Sequence, residues 1–261
     1  MSTAPVLYEQ DGPLAFVTFN RPAAYNAMTW EMYDELRARC DAVEADPAIR
    51  VMILRGAGGK AFVAGSDINE FREFSTPEDG IRYEQHLDAV FDKIESLTKA
   101  TIAEIDGVAT GGGCALAAAC DLRLCSPTSR FGVPIARTLG NCLSAANHAR
   151  FLDLLGPARL KDVLFTARLL DASEALAVGL VNRVVEATML GDTVRQMAHT
   201  VASNAPLTIA ATKEMIRRIQ IHRRLPPDEA HDLIATCYTS ADFKEGVDAF
   251  LSKRPPEWSG S

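Results

Sequence analysis

Three consecutive glycines at positions 111–113 separate two segments of the chain that are rich in apolar residues. The segment 101–105 has the length of a buried strand, and the almost wholly apolar segment 114–120 consists of helix-forming residues. Glycine lets a ligand approach the backbone closely, and the first turn of a helix leaves N–H groups without intrahelical acceptors. This part of the sequence therefore predicts a strand, a glycine turn with free backbone donors, and a buried helix.

A second segment has the same character. Residues 60–68 follow the apolar run 51–54 and contain small residues and Gly65. If the two loops converge, they provide two N–H donors to one oxygen atom, an arrangement that stabilises developing negative charge. Each loop taken alone is explained equally well as a tight connection between a strand and a helix.

Composition limits the classes of protein that this chain can represent. The 261 residues and the 48% hydrophobic content fit one large domain, or one domain with a small appendage. A net charge of −7 argues against nucleic acid as a partner, because phosphate binding needs clustered Lys and Arg. No segment approaches the roughly 20 apolar residues of a membrane span, and residues 1–10 do not resemble a secretory leader. We therefore expect a cytoplasmic protein that does not contact membranes.

Metal binding is not expected either. The five histidines are scattered, and the six cysteines include no pair separated by two residues. Cysteines in apolar segments are typical of small buried side chains in a reducing compartment.

Periodicity and capping signals predict alternating strands and helices through about residue 150, and hence an α/β architecture. The chain after residue 145 is predicted to be almost entirely helical. Strands are predicted at 14–19, 51–54, 101–105, 122–125 and 181–185. Helices are predicted from Thr29 to about 45, and at 78–97, 157–166, 193–204, 206–221, 227–238 and 241–253. We expect a core at residues 1–200 and a C-terminal helical region at 201–261.

Ordered motifs from about Val6 to about Trp258 resemble the enoyl-CoA hydratase/isomerase family, also called the crotonase superfamily. They include Asn20-Arg21-Pro22, Ala61-Phe62-Val63-Ala64-Gly65-Ser66-Asp67-Ile68, Ile105-Asp106-Gly107-Val108-Ala109-Thr110-Gly111-Gly112-Gly113-Cys114, Arg130-Phe131-Gly132-Val133-Pro134, and Phe243-Lys244-Glu245-Gly246-Val247. The resemblance implies a spiral of ββα turns followed by a helical C-terminal region that helps to form trimers, often paired into hexamers.

The resemblance also implies a site for an acyl-CoA thioester, with no cofactor beyond the CoA moiety. Its oxyanion hole consists of the Ser66 and Gly112 N–H groups. CoA contacts are implied for a further set of residues: Ala24, Ala64, Asp67, Ile68, Gly111, Phe243 and Lys253. Phe243 and Lys253 match positions that flank the nucleotide, often from a neighbouring subunit, although Lys253 also fits an exposed lysine at a helix end. The Ser66 hydroxyl either faces the substrate or only shapes the loop.

Two departures from the family pattern affect the expected reaction. Hydratases of this family use two glutamates as general acid and base, and Ala115 and Ile135 occupy those positions here. No Glu occurs between Glu104 and Glu174, so a shifted alignment does not restore either group. An apolar side chain cannot transfer a proton. We therefore expect stabilisation of a thioester enolate, but not efficient hydration of an enoyl-CoA.

Several alternatives remain open. A polar residue from 135–148 or 81–90 can replace the missing acids, with His148, His86 and Tyr83 as candidates. The reaction is then a decarboxylation or an isomerisation. Asn141 or Ser144 also fits the N-cap of the following helix. A different class of function, binding of acyl-CoA without catalysis, is also compatible with the sequence.

Overall fold

A computed structural model describes residues 4–261 and contains two sheets of different length. The six-stranded sheet has the order β1-β2-β3-β5-β7-β10, and the four-stranded sheet has the order β4-β6-β8-β9. The strands are β1 (Val6–Asp11), β2 (Leu14–Phe19), β3 (Val51–Gly56), β4 (Ala61–Val63), β5 (Ala100–Ile105), β6 (Val108–Thr110), β7 (Leu122–Cys125), β8 (Arg130–Gly132), β9 (Leu170–Asp171) and β10 (Arg183–Val184).

The helices follow the strands along the chain. They are α1 (Trp30–Ala45), α2 (Pro77–Ser96), α3 (Gly112–Ala119), α4 (Ile135–Thr138), α5 (Ala145–Thr166), α6 (Ala172–Ala177), α7 (Ala187–Ser203), α8 (Pro206–Ile221), α9 (His231–Tyr238) and α10 (Ala241–Leu251). Short 3₁₀ helices cover Pro22–Ala24, Ile68–Glu73 and Pro227–Ala230. The helix α5 is interrupted at Gly156, where φ is 69°, and Pro157 begins its second half.

Each turn of the fold contributes one strand to each sheet. The strands β3, β5 and β7 lie parallel in the long sheet, and β4, β6 and β8, which follow them in sequence, lie parallel in the short one. Helices α2 and α3 follow the β3–β4 and β5–β6 pairs. Only β1 with β2, and β8 with β9, pair antiparallel in the described chain. This arrangement is the spiral of ββα turns implied by the family resemblance.

The core lies between the sheets and the helices that cover them. All six residues of β2 are buried, and so are the first four of β3, as expected for strands with covered faces. Helix α1 begins where the sequence predicts, because the Thr29 side chain accepts a hydrogen bond from the Met32 amide. Thr76 and Asp79 form a reciprocal capping box at the start of α2.

Some element boundaries differ from the predictions. Helix α7 begins at Ala187 rather than at 193 and therefore contains Gly191, which costs about 1 kcal/mol relative to alanine in a helix interior. The strand predicted at 181–185 is limited to Arg183–Val184, and the helix predicted at 227–238 starts as a 3₁₀ turn. The division at residue 200 stays a prediction, and residues 1–3 of the expected core lie outside the described part.

Two further expectations concern surfaces and ions. Among residues 4–261, no helix is both long and apolar enough to cross a membrane. The same residues contain no cluster of three or more His, Cys, Asp and Glu side chains arranged to hold a metal ion.

Candidate functional site

The two glycine loops meet, as the sequence suggests. One follows β4 and contains Gly65, and the other joins β6 to α3 and contains Gly111. A Cβ atom on Gly65 would lie 3.9 Å from the Gly112 nitrogen, and one on Gly111 would lie 3.7 Å from the Gly65 Cα. Both glycines have positive φ, 107° at Gly65 and 55° at Gly111, which larger residues adopt at a cost. The Thr110 hydroxyl donates to the Ala64 carbonyl at 3.2 Å and ties the loops together.

The Ser66 and Gly112 amides are available to a ligand. Neighbouring groups are engaged, because the Met28 amide donates to the Gly65 carbonyl and the Asp67 amide donates to the Met28 carbonyl. Within the described chain, neither Ser66 N–H nor Gly112 N–H has an acceptor. Gly112 is the first residue of α3, where such a donor is expected. Two free backbone donors therefore face the same region from adjoining loops.

A cavity of about 480 Å³ lies in front of these amides. Seven of the predicted site residues line it: Ala24, Ala64, Ser66, Asp67, Ile68, Gly111 and Gly112. Ala115 and Ile135, the positions of the missing glutamates, also line it. Leu87, Leu139 and Leu143 contribute apolar surface. A cavity that is mostly apolar with a few convergent polar groups is typical of small-molecule sites.

The structure places the other four predicted residues outside the cavity lining. The Phe243 side chain is buried against Tyr238, with ring centroids 4.8 Å apart. His148 lies on α5, and its Nδ1 is 3.0 Å from the Ser144 carbonyl. The His86 ring packs on Trp30, with centroids 4.7 Å apart. Lys253 is exposed beyond the end of α10. Their functional roles stay predictions.

Asp67 organises its loop. Its carboxylate accepts hydrogen bonds from Arg21 at 2.9 Å and from the Asn69 side-chain amide at 2.9 Å. Partial burial opposes ionisation of Asp67, but the hydrogen bonds from Arg21 and Asn69 outweigh it and lower the pKa. An ionised carboxylate that accepts hydrogen bonds from two side chains holds the geometry of the loop and is poorly suited to proton transfer.

Among the described residues, two carboxyl groups lie on the cavity lining, those of Asp67 and Glu84. Glu84 is buried on α2, where Tyr238 O–H donates to its Oε1 at 2.7 Å and Ser144 N–H donates to its Oε2 at 2.8 Å. Burial raises the pKa of Glu84 to about 8, and the nearby Asp88 adds to the shift, while the two hydrogen bonds oppose it. Glu84 is thus a buried acid that is mostly protonated at neutral pH.

Glu84 is not among the catalytic candidates that the sequence indicates, although the predicted helix at 78–97 carries it. The segment 81–90 was expected to supply a polar side chain, with Tyr83 and His86 as candidates. The surroundings of Glu84 depend on a distant part of the chain, because its hydrogen-bond donor Tyr238 lies on α9, 154 residues away in sequence. In the sequence, nothing local distinguishes Glu84 from an exposed glutamate on a helix.

Hydrogen bonds join the segment after Pro134 to α2. Ser144 caps α5, since its Oγ accepts a hydrogen bond from the Asn147 amide at 3.1 Å. The same hydroxyl donates to Asp88 at 2.8 Å, and the Ser144 amide donates to Glu84. Asn141, which lines the cavity, donates from Nδ2 to the Tyr238 hydroxyl at 3.0 Å. The capping interpretation of Ser144 is therefore confirmed, and the segment positions Glu84.

The Ser66 hydroxyl lies between two tyrosines. Its Oγ is 2.9 Å from the Tyr33 hydroxyl and 2.6 Å from the Tyr83 hydroxyl. Tyr83 lines the cavity, whereas Tyr33 is covered by α2 and packs against Phe91. Burial raises the pKa of both phenols, so that both stay protonated. The Ser66 side chain therefore joins two buried hydroxyls where the two glycine loops meet.

With this geometry in place, the comparisons with known proteins identify the family. The family model for enoyl-CoA hydratase/isomerase matches residues 9–261. The chain belongs to this family and has the crotonase fold.

Similar proteins carry out more than one reaction. A short-chain-enoyl-CoA hydratase from Clostridium acetobutylicum is 37% identical over 253 residues, which cover 97% of this chain and 96% of that protein. A carnitinyl-CoA dehydratase from Citrobacter koseri is 35% identical over 263 residues, covering 97% of each. The crystal structure of methylmalonyl-CoA decarboxylase complexed with 2S-carboxypropyl-CoA is 32% identical, covers 100% of both chains and has a TM-score of 0.91.

Proposed function

We propose that this protein binds an acyl-CoA thioester and stabilises the thioester enolate with the Ser66 and Gly112 N–H groups. The observation that supports this most directly is the pair of free amides on two touching loops at one cavity. Charge on the thioester oxygen grows as the enolate forms, and fixed donors favour that charge. In other enzymes one such donor contributes about 3 to 4 kcal/mol to the transition state.

Glu84 is the proton-transferring group in this proposal. It lies on the same cavity as the oxyanion loops, and its pKa near 8 keeps it protonated at neutral pH. A pKa close to the working pH is what general acid and base catalysis requires. Tyr238 and Ser144 fix the carboxyl through hydrogen bonds to its two oxygens. Glu84 then takes the place of the carboxyl groups that Ala115 and Ile135 cannot provide.

Decarboxylation is a specific candidate for the reaction. In a malonyl-type thioester, the bond between Cα and the carboxylate breaks, CO₂ leaves, and its electron pair forms the enolate. The enolate needs an oxyanion hole and one proton for Cα, which Glu84 donates before it recovers a proton from solvent. No base is needed to generate the enolate, so the loss of both usual glutamates is no obstacle. The resemblance to methylmalonyl-CoA decarboxylase, at a TM-score of 0.91, supports this candidate.

The first test separates binding from catalysis. We expect acetyl-CoA and crotonyl-CoA to raise the melting temperature of the purified protein, since a ligand at about 100 times its Kd adds roughly 2.7 kcal/mol. We expect slow hydration of crotonyl-CoA, well below a typical turnover of about 10 per second. CO₂ release from malonyl-CoA and methylmalonyl-CoA is measured in parallel. An absence of any thermal shift with millimolar thioester would contradict the proposal.

The second test concerns Glu84. Glu84→Gln is expected to lower turnover of the active thioester by about 10² to 10⁴, with thermal shifts retained. Glu104→Gln is the matched control, because burial also raises the pKa of Glu104 but that residue lies on β5, outside the cavity lining. Equal activity of Glu84→Gln and the parent would remove Glu84 from the mechanism. Binding without turnover of any thioester would favour the role of a non-catalytic acyl-CoA binder.

A further inference from the structure

The hydroxyl groups of Tyr33, Ser66 and Tyr83 form a chain, called here the hydroxyl cluster, in which one hydrogen atom is not used. Three hydroxyls carry three hydrogens, and two hydrogen bonds join them, at 2.9 Å and 2.6 Å. In the described residues, these three oxygens have no other hydrogen-bond partner. One O–H is therefore left without an acceptor in the protein alone.

The direction of the chain decides where that hydrogen lies. If Tyr83 donates to Ser66 and Ser66 donates to Tyr33, the spare hydrogen lies on Tyr33, which is 2% exposed and does not line the cavity. A buried donor without an acceptor costs about 1 to 3 kcal/mol. If Tyr33 donates to Ser66 and Ser66 donates to Tyr83, the spare hydrogen lies on Tyr83, at the cavity. In a third arrangement both tyrosines donate to Ser66. This arrangement is disfavoured, because hydrogen bonds that run in one direction along a chain strengthen one another.

The Tyr83 ring is held in place by its neighbours. Its centroid is 4.9 Å from that of Phe71 and 5.9 Å from that of Trp30, both in edge-to-face contact. Its hydroxyl lies 2.6 Å from the Ser66 Oγ, on the residue whose amide is one half of the proposed oxyanion hole. A donor at this point is close to the place where the thioester oxygen would bind.

We propose that the Tyr83 hydroxyl donates a hydrogen bond to an oxygen atom on Cβ of the bound acyl group. The thioester oxygen and an oxygen on Cβ are in a 1,3 relation, so neighbouring donors can hold them side by side. The favoured substrates are acyl thioesters with a keto, hydroxyl or carboxylate oxygen at Cβ, the last being the malonyl type. This inference rests on the proposed function, because it requires the thioester to bind at the Ser66 amide.

Ser66 and Tyr33 act as positioning residues in this arrangement. Ser66 accepts from Tyr33 and donates to Tyr83, so that the Tyr83 hydrogen is directed into the cavity. The serine of this chain is thus assigned to selectivity among acyl groups, separately from its amide.

The test compares two thioesters of equal chain length, acetoacetyl-CoA and butyryl-CoA, by equilibrium titration of the intact protein. We expect acetoacetyl-CoA to bind more tightly to the parent protein. Tyr83→Phe is expected to reduce this preference about threefold to tenfold, the range for a neutral hydrogen bond, with the Kd of butyryl-CoA unchanged. Ser66→Ala is expected to do the same, and the double variant is expected to lose no more than either single one. Tyr8→Phe is the control, since Tyr8 lies on β1 outside the cavity lining.

The outcomes separate this inference from the proposed function. If neither thioester binds the parent protein, the proposed function itself is wrong. If both bind and Tyr83→Phe leaves the preference intact, only the assignment of Tyr83 is wrong. Equal weakening of both thioesters by Tyr83→Phe would place the hydroxyl on the thioester oxygen, against this inference. A preference that disappears in Ser66→Ala but persists in Tyr83→Phe would make Ser66 the donor, and would also overturn it.

Discussion

Glu84 is a carboxyl group whose surroundings favour its neutral form. Its pKa of about 8 in the folded protein lies above the ordinary value of 4.5. Between these two pH values the folded protein retains a proton that the unfolded chain has lost. The free energy of unfolding therefore decreases as the pH rises from about 4.5 to about 8, and this contribution is constant above that range.

A comparison of the parent protein with Glu84→Gln isolates this effect. We expect the stability of the variant relative to the parent to increase by a few kcal/mol across that pH range, since one pKa unit corresponds to about 1.4 kcal/mol. Altered hydrogen bonds with Tyr238 and Ser144 add an offset that does not depend on pH. Asp88 and Asp92 titrate in both proteins. Melting temperatures measured as a function of pH give the difference, and a difference that is independent of pH would contradict the raised pKa.

The sequence predicts best those site groups whose placement depends on the backbone alone. The amides of Ser66 and Gly112 depend on glycines in a fixed local order, and the chain shows that order directly. Glu84 and the hydroxyl cluster depend on contacts between distant parts of the chain, such as Tyr238 with Glu84 and Tyr33 with Ser66. Their environments, and hence their chemistry, follow only from the folded structure.

At the scale of elements, the long sheet was predictable and the short sheet was not. Five of the long sheet's six strands are predicted from the sequence, and β1 is the exception. The strands β4, β6 and β8 have three residues each, too few to show the alternation that distinguishes a strand. These short strands pair because each follows a strand of the long sheet. The pairing of β3, β5 and β7 brings the segments that follow them side by side. These short strands nevertheless position both glycine loops of the candidate site.

The contact of α2 with α5 provides a prediction about stability. Arg150 on α5 has 1% of its side chain exposed and binds acidic residues on one face of α2, with Glu95 at 2.8 Å and Asp88 at 3.4 Å. Its Nη1 also donates to Asn147 at 2.9 Å. Removing one partner of a buried ion pair leaves uncompensated charge. We expect Arg150→Met to lower the free energy of unfolding by about 3 to 5 kcal/mol.

Urea denaturation measures this loss, and an exposed ion pair provides the control. Arg218 is 68% exposed and pairs with Glu214 four residues earlier on α8. Arg218→Gln is expected to cost less than about 1 kcal/mol, as is usual for surface pairs. Similar costs for the two variants would mean that the acidic face of α2 does not depend on Arg150.

At the scale of the whole molecule, the site is built from both parts of the predicted division. The two glycine loops belong to the spiral core, whereas Phe250 and Leu251 of α10 line the cavity and Tyr238 of α9 donates a hydrogen bond to Glu84. The C-terminal helices therefore complete the site in addition to any role in assembly. A truncated core would have free amides but would lack the partner that helps to fix Glu84.

One side of α8 exposes large apolar side chains, which predicts that the protein assembles through this helix. Met215, Ile216 and Ile219 are 60%, 52% and 55% exposed, and their spacing places them on one side of the helix. An exposed group of large apolar side chains is typical of a protein interface, and closed symmetric oligomers are the usual result. We predict that size-exclusion chromatography with light scattering will give three or six times the 28.3 kDa chain mass.

Charge placed on this face tests the prediction. Met215→Glu combined with Ile219→Glu puts two carboxylates where the interface would exclude water. Because burying unpaired charge is costly, the oligomer is expected to dissociate. The variant is expected to elute at the mass of one chain with its circular dichroism spectrum unchanged. Met189→Glu changes a methionine of similar exposure, 54%, on α7, away from the α8 face, and is expected to keep the parent mass. A parent protein of 28.3 kDa, or a charged variant that remains assembled, would show that this face of α8 does not form the interface.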